Sequence, residues 1–259
     1  MKYIYRFSAL STNTSIAHYD FIEPFILYTF RQTAGKGMGT NSWFTGHGKN
    51  IALSLCLHPA FLKPEEQFLL NIALSSALRN ALQTLICNYT AANTPQVSLK
   101  WPNDIYVDDK KLAGILFENK ISGCNNELCS FSKSITGIGL NVNQKKFPLS
   151  LPNPTSLYII TKRKFCKKNI VHTIGSALEN AYNNLAEGIA KNGYEYVWNE
   201  CKKEYLSSLL YYGKERNFIY KDKPITGKIV NVDNFGRLII SVKDSEPLVC
   251  DIKDVKFFE

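Results

Sequence analysis

The spacing of apolar and polar positions changes several times along the chain, and each change predicts an element. Residues 3–10 read as a short strand, broken off by five small polar side chains, Ser11, Thr12, Asn13, Thr14 and Ser15. Such a run can cap a helix or line a pocket with hydroxyl and amide groups, and a helical stretch is expected after it. Residues 25–33 (FILYTFRQT) have the β-branched and aromatic character of a buried strand, and residues 50–57 give another. Pro64-Glu65-Glu66 predicts a helix start, with proline in the first turn and acids at the positive end of the dipole. Phe68, Leu69, Ile72, Leu78, Leu82, Leu85 and Ile86 then recur at helical spacing, so this helix faces a core.

Residues 97–118 predict a hairpin. Val97, Leu99 and Trp101 open it, a Pro-Asn-Asp turn interrupts it, and Leu112, Ile115, Leu116 and Phe117 close it. Between the runs lies Asp108-Asp109-Lys110-Lys111, a polar reversal suited to joining two strands. Pro102 disfavours helix at Trp101 and removes a ladder donor, so a strand should stop there with Asn103 and Asp104 at its exposed end. After a polar loop at 122–132, residues 135–142 (ITGIGLNV) form a strand with two glycines on one face. Those positions leave room for a flat ligand or another chain segment. Pro148, Pro152 and Pro154 punctuate the following loop. A helix is expected over 169–192, capped by Asn169 and closed near Gly193, and a third helical piece over 194–206.

From about residue 213 the texture changes to short strands, at 217–220, 225–232, 237–242 and 248–252. Tight turns at 222–224, 233–236 and 243–246 separate them, which predicts a small antiparallel barrel. The fold class is α+β: a mixed or antiparallel sheet packed with helices over 1–212, and the small barrel over 213–259.

Composition narrows the class. The chain has 259 residues, 45% hydrophobic and 20% charged, ordinary values for a globular protein. No segment approaches the roughly 18 apolar residues of a membrane helix. Arg6 and Ser8 interrupt any signal-peptide core at the N-terminus. Seven scattered cysteines form no CxxC pair, and Cys124 and Cys129 have no matching His or Cys pair, so reduced thiols in a cytoplasm are expected. The net charge of +9 favours anionic partners: nucleotides, an acidic protein or nucleic acid. Its densest run, Lys162-Arg163-Lys164 with Lys167-Lys168, reads as a solvated face, since no helix-turn-helix or zinc finger accompanies it.

Candidate chemistry concentrates in residues 34–43, AGKGMGTNSW. Three alternate glycines give a backbone whose N–H groups can turn towards an anion, and Lys36 adds charge. The spacing is neither a Walker A loop nor a Rossmann fingerprint. In the hairpin, Lys111 enters the second strand and Gly114 allows close approach to the backbone.

Five stretches in this order resemble the biotin protein ligases over essentially the whole chain: Ser11-Thr12-Asn13, Gln32 with Gly35 through Trp43, Lys100 through Asp104, Lys111 through Leu116, and Gly137 through Asn141. The resemblance implies a class II synthetase-like catalytic domain and an SH3-like C-terminal barrel. It also implies ATP-dependent activation of biotin to biotinyl-5′-AMP, with Mg2+ carried by ATP, and transfer to a lysine of a biotin carboxyl carrier domain of a carboxylase. By matching position Lys111 would hold the carboxylate and then the acyl phosphate. Lys36 with the backbone of Gly35, Gly37 and Gly39 would clamp phosphates. Ser11, Thr12, Asn13, Gln32, Gly35, Gly37, Met38, Leu116 and Gly137 would surround biotin with the two lysines. Trp43, Asn103 and Asn141 would lie towards the nucleotide, and Asp104 would accept the incoming lysine's proton. Some members of that family carry an N-terminal winged helix and act as repressors. This chain starts directly at the catalytic pattern, so neither DNA nor a membrane is expected as a partner, while a homodimer is compatible. Rival readings are a lipoate or octanoate ligase or transferase of related fold, and a basic nucleic-acid-binding module.

The chain departs from the pattern in the loop, where the family usually has Arg at Lys36, Arg or Gln at Met38 and Gly at Thr40. Lysine keeps the charge without the bidentate fork, and Met38 offers no polar hold. Lys36→Arg combined with Met38→Arg should therefore tighten biotin binding about tenfold, the worth of one charge-assisted hydrogen bond. Calorimetry giving equal affinities for the two proteins would refute this.

Overall fold

The computed structural model describes residues 1–46, 48–90, 94–121 and 131–257. In chain order these form β1 (Lys2–Tyr5), α1 (Thr12–Ile16), β2 (Phe25–Thr29), β3 (Gly35–Lys36), β4 (Ser42–Trp43) and β5 (Ile51–Leu57). A 3-10 turn at Pro64–Glu66 leads into α2 (Gln67–Cys87), followed by β6 (Val97–Lys100), β7 (Asp104–Val107), β8 (Lys110–Ile121) and β9 (Phe131–Leu140). Then come α3 (Leu157–Thr161), α4 (Lys167–Asn192) and α5 (Tyr194–Ser208). The chain ends with β10 (Glu215–Tyr220), β11 (Lys223–Val232), β12 (Leu238–Val242), β13 (Leu248–Cys250) and β14 (Val255–Phe257).

A seven-stranded mixed sheet in the order β1-β2-β5-β9-β8-β7-β6 is the centre of the molecule. Only the β1–β2 pair is parallel. Side-chain size differs between the two faces of its central strands. On β5, Ile51, Leu53, Leu55 and Leu57 point into the large core, which α2, α4 and α5 cover. The alternate residues Ala52, Ser54 and Cys56 face the other way, towards α1. β2 divides in the same manner, with Ile26 and Tyr28 in the large core and Phe25 and Leu27 in a smaller cluster under α1 with Ile16 and Ile135. A strand with two buried faces loses the simple alternation of apolar and polar residues, which explains why β2 and β5 read as continuous apolar runs.

Several expected boundaries move. The strand expected over 3–10 stops at Tyr5. The polar run at 11–15 is itself the helix α1 rather than its prelude, and no longer helix follows before β2. β2 ends at Thr29, whose hydroxyl accepts from the Arg31 amide and turns the chain. The hairpin at 97–118 is a three-stranded meander, and Asp104 opens β7 instead of ending a loop. Past the prolines, Ser156 caps the short helix α3 by accepting from the Ile159 amide, where only loop was expected. α4 begins at Lys167, two residues before Asn169, with Cys166 at the N-cap position. The polar loop expected at 122–132 falls mostly outside the described residues, as do Cys124 and Cys129.

The last five strands form a second antiparallel sheet, β13-β12-β11-β10-β14. Its first turn lies at Lys221 and Asp222, both at positive φ, so Pro224 belongs to β11. There β11 has only β10 beside it, and the missing N–H of proline removes no ladder bond on the other side. No strand was expected at Val255–Phe257, where β14 pairs with β10. Among the described residues no helix is long and apolar enough to cross a membrane.

The core of the second sheet is continuous with the main core, and Trp101 and Phe68 are among the residues that tie the two together. The Trp101 indole N–H donates to the Gly236 carbonyl at 2.8 Å, and Gly236 sits at φ +85 against the Phe68 ring. A Cβ at that glycine would lie 2.6 Å from Phe68 Cδ2. Gly236→Ala should destabilise the protein by about 1–3 kcal/mol, from left-handed strain and the clash together. Denaturant unfolding of the two proteins, with equal slopes and an unchanged midpoint, would contradict the assignment.

Candidate active site

Strand register creates the floor of a cavity. Gly137 pairs with Ser54 on one side and Leu116 on the other, while Gly139 pairs with Ala52 and Gly114. Apart from Leu116, the three strands therefore present small side chains, or none, on the face opposite the core. The ladder of β3 and β4 folds over this floor, and the N-terminal end of α1 walls it. The cavity, open to solvent on one side, measures about 150 Å³.

At one end the polar groups are fixed by one another. Gln32 Oε1 accepts from the Thr12 amide at 2.9 Å and from its hydroxyl at 3.3 Å. Asn13 Nδ2 donates to Glu118 Oε2 at 2.6 Å, and Asn13 Oδ1 accepts from the Ser54 hydroxyl at 2.6 Å. The Asn13 amide occupies the space above Gly137, where a Cβ would come 2.1 Å from Oδ1. Ser11 stands at the N-cap position of α1, but its hydroxyl makes no cap hydrogen bond and lines the cavity instead.

At the other end stands Lys111, its ammonium 2.6 Å from Asp104 Oδ2, both side chains partly buried. The backbone of Lys111 is pinned on both sides, donating to Asn153 O at 2.7 Å and accepting from Thr155 N at 2.9 Å. Asn103 is tied to Ile115, whose amide donates to its carbonyl and whose carbonyl accepts from its side chain. Between the ends lies the Trp43 indole, over Gly139 and Gly114. A Cβ on those glycines would sit 2.2 Å from Cε2 and 3.0 Å from Cζ3 of the ring. Lys111 Nζ is 5.7 Å from the indole centroid.

Thirteen of the residues singled out by sequence line this cavity: Ser11, Thr12, Asn13, Gln32, Lys36, Gly37, Met38, Trp43, Asn103, Asp104, Lys111, Leu116 and Gly137. Three do not. Gly35 packs against Gln32 and the Trp43 carbonyl, and Gly39 occupies a turn at φ +65. Asn141 lines a second cavity of about 350 Å³ with Phe147, Leu151, Pro152 and Pro154, and this one shares Asn41, Ser42, Trp43 and Lys111 with the first. Together the two reach the range of about 300–1,000 Å³ usual for small-molecule sites. Sequence reasoning missed Ser54, Glu118 and Asn41. Gly139 was read with Gly137 as a same-face glycine pair leaving room for a flat ligand; Ser54 and Glu118 had no signal until strand register was known.

The cavity holds two lysines against one carboxylate, Asp104, so it favours an anion. Cys56 shares the Ser54 face of β5, and burial pushes its thiol up to about 11, leaving it uncharged at neutral pH. Among the described residues no group of three or more His, Cys, Asp or Glu side chains could hold a metal ion. The arrangement suits a molecule with a head that both donates and accepts hydrogen bonds at the Asn13 end and a negative charge at the Lys111 end.

The profile of the Biotin/lipoate A/B protein ligase family matches residues 10–131. Over those residues, just under half of the chain, the sequence is similar to the biotin/lipoate ligase family. The bifunctional ligase/repressor BirA of Bacillus spizizenii is 30% identical over 179 residues, covering 68% of this chain and 51% of that protein. The biotin–[acetyl-CoA-carboxylase] ligase of Mycobacterium tuberculosis is 29% identical over 136 residues, covering 52% and 46%. The chain spans about half the length of the curated relatives it matches. Among solved structures, the biotin protein ligase of Aquifex aeolicus in complex with biotin and ATP superposes with a TM-score of 0.73 at 25% identity, over 99% of this chain and 95% of that one. The family match ends at residue 131, so it takes in the polar wall, the lid and the Lys111 strand, while β9 supplies the glycine floor from beyond it.

Because Gly139 is what admits the indole, Gly139→Ala should expel Trp43 and shift its emission to the red. Gly114→Ala, with a longer approach, should shift it less. The shift should vanish in a Trp43→Phe background, since Trp101 and Trp198 are buried elsewhere; a Gly139→Ala spectrum like the wild type's would sink this packing.

Proposed function

We propose that the chain is a biotin protein ligase, which activates biotin with ATP to biotinyl-5′-AMP and transfers the biotinyl group to a lysine of a biotin carboxyl carrier domain. The observation that carries this reading is the position of Lys111. Lys111 lines both cavities, so its ammonium would stand where a molecule in one meets a molecule in the other. The named relatives and the solved ligase with biotin and ATP support the same assignment.

In this reading the ureido head of biotin lies against Ser11, Thr12, Asn13 and Gln32, with Leu116 and Gly137 bounding its ring system. Gly35 acts one step back, by seating Gln32. The carboxylate reaches Lys111, which exchanges its partner Asp104 for the substrate anion. A carboxylate oxygen then attacks the α-phosphorus of ATP, the bond from that phosphorus to the bridging oxygen breaks, and pyrophosphate leaves. Lys36, with the Gly37 and Gly39 backbone, supplies positive charge on the phosphate side. Trp43, Asn103 and Asn141 bound the nucleotide. Mg2+ fits the site as an ion carried on the phosphates of ATP with Asp104 in reach, since magnesium is commonly held by one or two carboxylates plus phosphate oxygens. It would neutralise phosphate charge.

In the second half-reaction the neutral ε-amine of the acceptor lysine attacks the acyl carbon. The C–O bond to the phosphate breaks, AMP leaves, and Asp104 accepts the proton, having been released from Lys111. The product is an amide, a new C–N bond. We also read residues 1–212 as the catalytic unit and 213–259 as a small SH3-like barrel, on the order of the last five strands. We read the setting as a cytoplasm from the scattered cysteines, which form no CxxC pair.

Incubation with ATP, biotin and a purified carrier domain should label the carrier on an avidin blot, and leaving out ATP should abolish the signal. Lys111→Ala should cut the rate at least 100-fold, the scale of losing one charge at a developing anion. Octanoate or lipoate accepted in place of biotin would move the chain to the other branch of its family, and labelling that survives Lys111→Ala would remove that residue from the chemistry.

A further inference from the structure

The net charge of +9 is not spread over the surface. Residues 24–64 and 128–178 contain no Asp or Glu, and all 22 acidic residues lie elsewhere, where they outnumber the remaining Lys and Arg. The fold brings these two acid-free stretches together. The Asn143 amide donates to Lys49 O at 2.9 Å, and the Asn143 side chain exchanges two hydrogen bonds with the Phe165 backbone, both at 2.9 Å. The Gly48 amide donates to Phe30 O, and Lys167 sits 4.6 Å from the centre of the Phe30 ring. Apart from Lys133, 3.8 Å from Asp20, no Lys or Arg side chain of the two stretches makes an ion pair among the described residues.

Three of these cations, Lys145, Arg163 and Lys167, lie beside aromatic rings instead of carboxylates. Lys145 lies 4.7 Å from the Tyr158 centroid and Arg163 lies 5.7 Å from that of Tyr89. Burial and the neighbouring Lys164 both depress the Lys167 ammonium, as expected where positive charge gathers uncompensated. On this face Tyr5, Phe7, Phe30, Arg31 and Lys167 line a shallow hollow, and Phe7 is 75% exposed. The face also adjoins the active site, for Phe147, next in sequence to Lys145 and Lys146, lines the cavity that Lys111 shares.

Resting on the ligase reading, we infer that this basic, aromatic-hollowed face docks the acceptor protein, through an acidic surface that presents an apolar side chain to the hollow beside Phe7. Cations without carboxylate partners steer an acidic partner, and the exposed ones, such as Lys49 and Lys164, lose little solvation when it arrives. An aromatic hollow flanked by Arg31 and Lys167 takes an apolar anchor between carboxylates. Phosphate chains supply no such anchor, and the rings of Phe30, Tyr158 and Tyr89 are already covered by cations, so they offer no platform for bases.

The test compares the full chain with a Lys49→Glu, Lys164→Glu, Lys167→Glu variant, using a purified carrier domain of negative net charge as the probe. Biotin-dependent ATP–pyrophosphate exchange, which needs no carrier, should be unchanged. KM for the carrier should rise about tenfold with kcat unaltered, and the wild type's rise in KM with added salt should disappear in the variant. Normal exchange with an unchanged KM overturns the docking inference alone, whereas a wild type without exchange overturns the ligase reading and this inference with it. Should the Glu variant lose exchange, the same three positions as Gln decide the matter, with KM required to rise about threefold. A fluorescent single-stranded oligonucleotide bound by the wild type and released by the variant, with the carrier KM unmoved, would assign the face to nucleic acid and overturn the inference.

Discussion

Everything at the candidate site depends on the register of three strands. β5, β9 and β8 are aligned so that Ala52, Gly139 and Gly114 form one row across the sheet and Ser54, Gly137 and Leu116 form the next. The opposite face of the same strands carries Leu53, Ile138 and Ile115 in the main core. Because side chains alternate strictly along a strand, a slip of one residue would put aliphatic bulk into the cavity and glycines into the core. The helices on the far side thus do more than stabilise the sheet. By requiring large aliphatics on their face, they fix which residues are left for the cavity.

Charge in the cavity follows a second constraint. Lys111 is kept in place by Asp104 at 2.6 Å, and both groups retain contact with solvent. An ion pair so situated contributes on the order of 1 kcal/mol at most after screening. It is strong enough to orient the ammonium and weak enough to be given up for a substrate anion. A fully buried pair would cost far more to separate. The pinned backbone on either side of Lys111 means that this exchange needs only side-chain motion.

What could be read from sequence was whatever is local. The glycine pair in β9, the turn after Pro102, the long helices and the residue set around Lys111 each have a short-range pattern, and they came out with small boundary errors. Elements that depend on partners far along the chain did not. Ser54 and Glu118 join the site only because strand pairing brings them to Asn13 from positions 41 and 105 residues away. α1 was obscured because a five-residue helix of polar side chains has no apolar stripe to reveal it, its one buried aliphatic being Ile16. α3 was hidden by the prolines before it. The basic run at 162–168 was visible as composition, but its contact with Phe30 and Lys49 belongs to the fold.

The lid is the least stable part of this arrangement, and its chemistry explains how it can serve both cavities. β3 and β4 are two residues each, and a ribbon of that length has little stability of its own. Its closed position relies on the Trp43 indole lying on Gly139 and Gly114, since the turn beyond adds only the Gly37–Asn41 and Asn41–Met38 backbone bonds. Yet the indole N–H is buried with no hydrogen-bond partner among the described residues, a cost of about 1–3 kcal/mol. A ligand oxygen offered to that N–H would remove the cost, and a planar ring beside the indole would add stacking area. Binding on either side of Trp43 therefore strengthens the same closure, so occupation of one cavity favours occupation of the other without any movement of the sheet beneath.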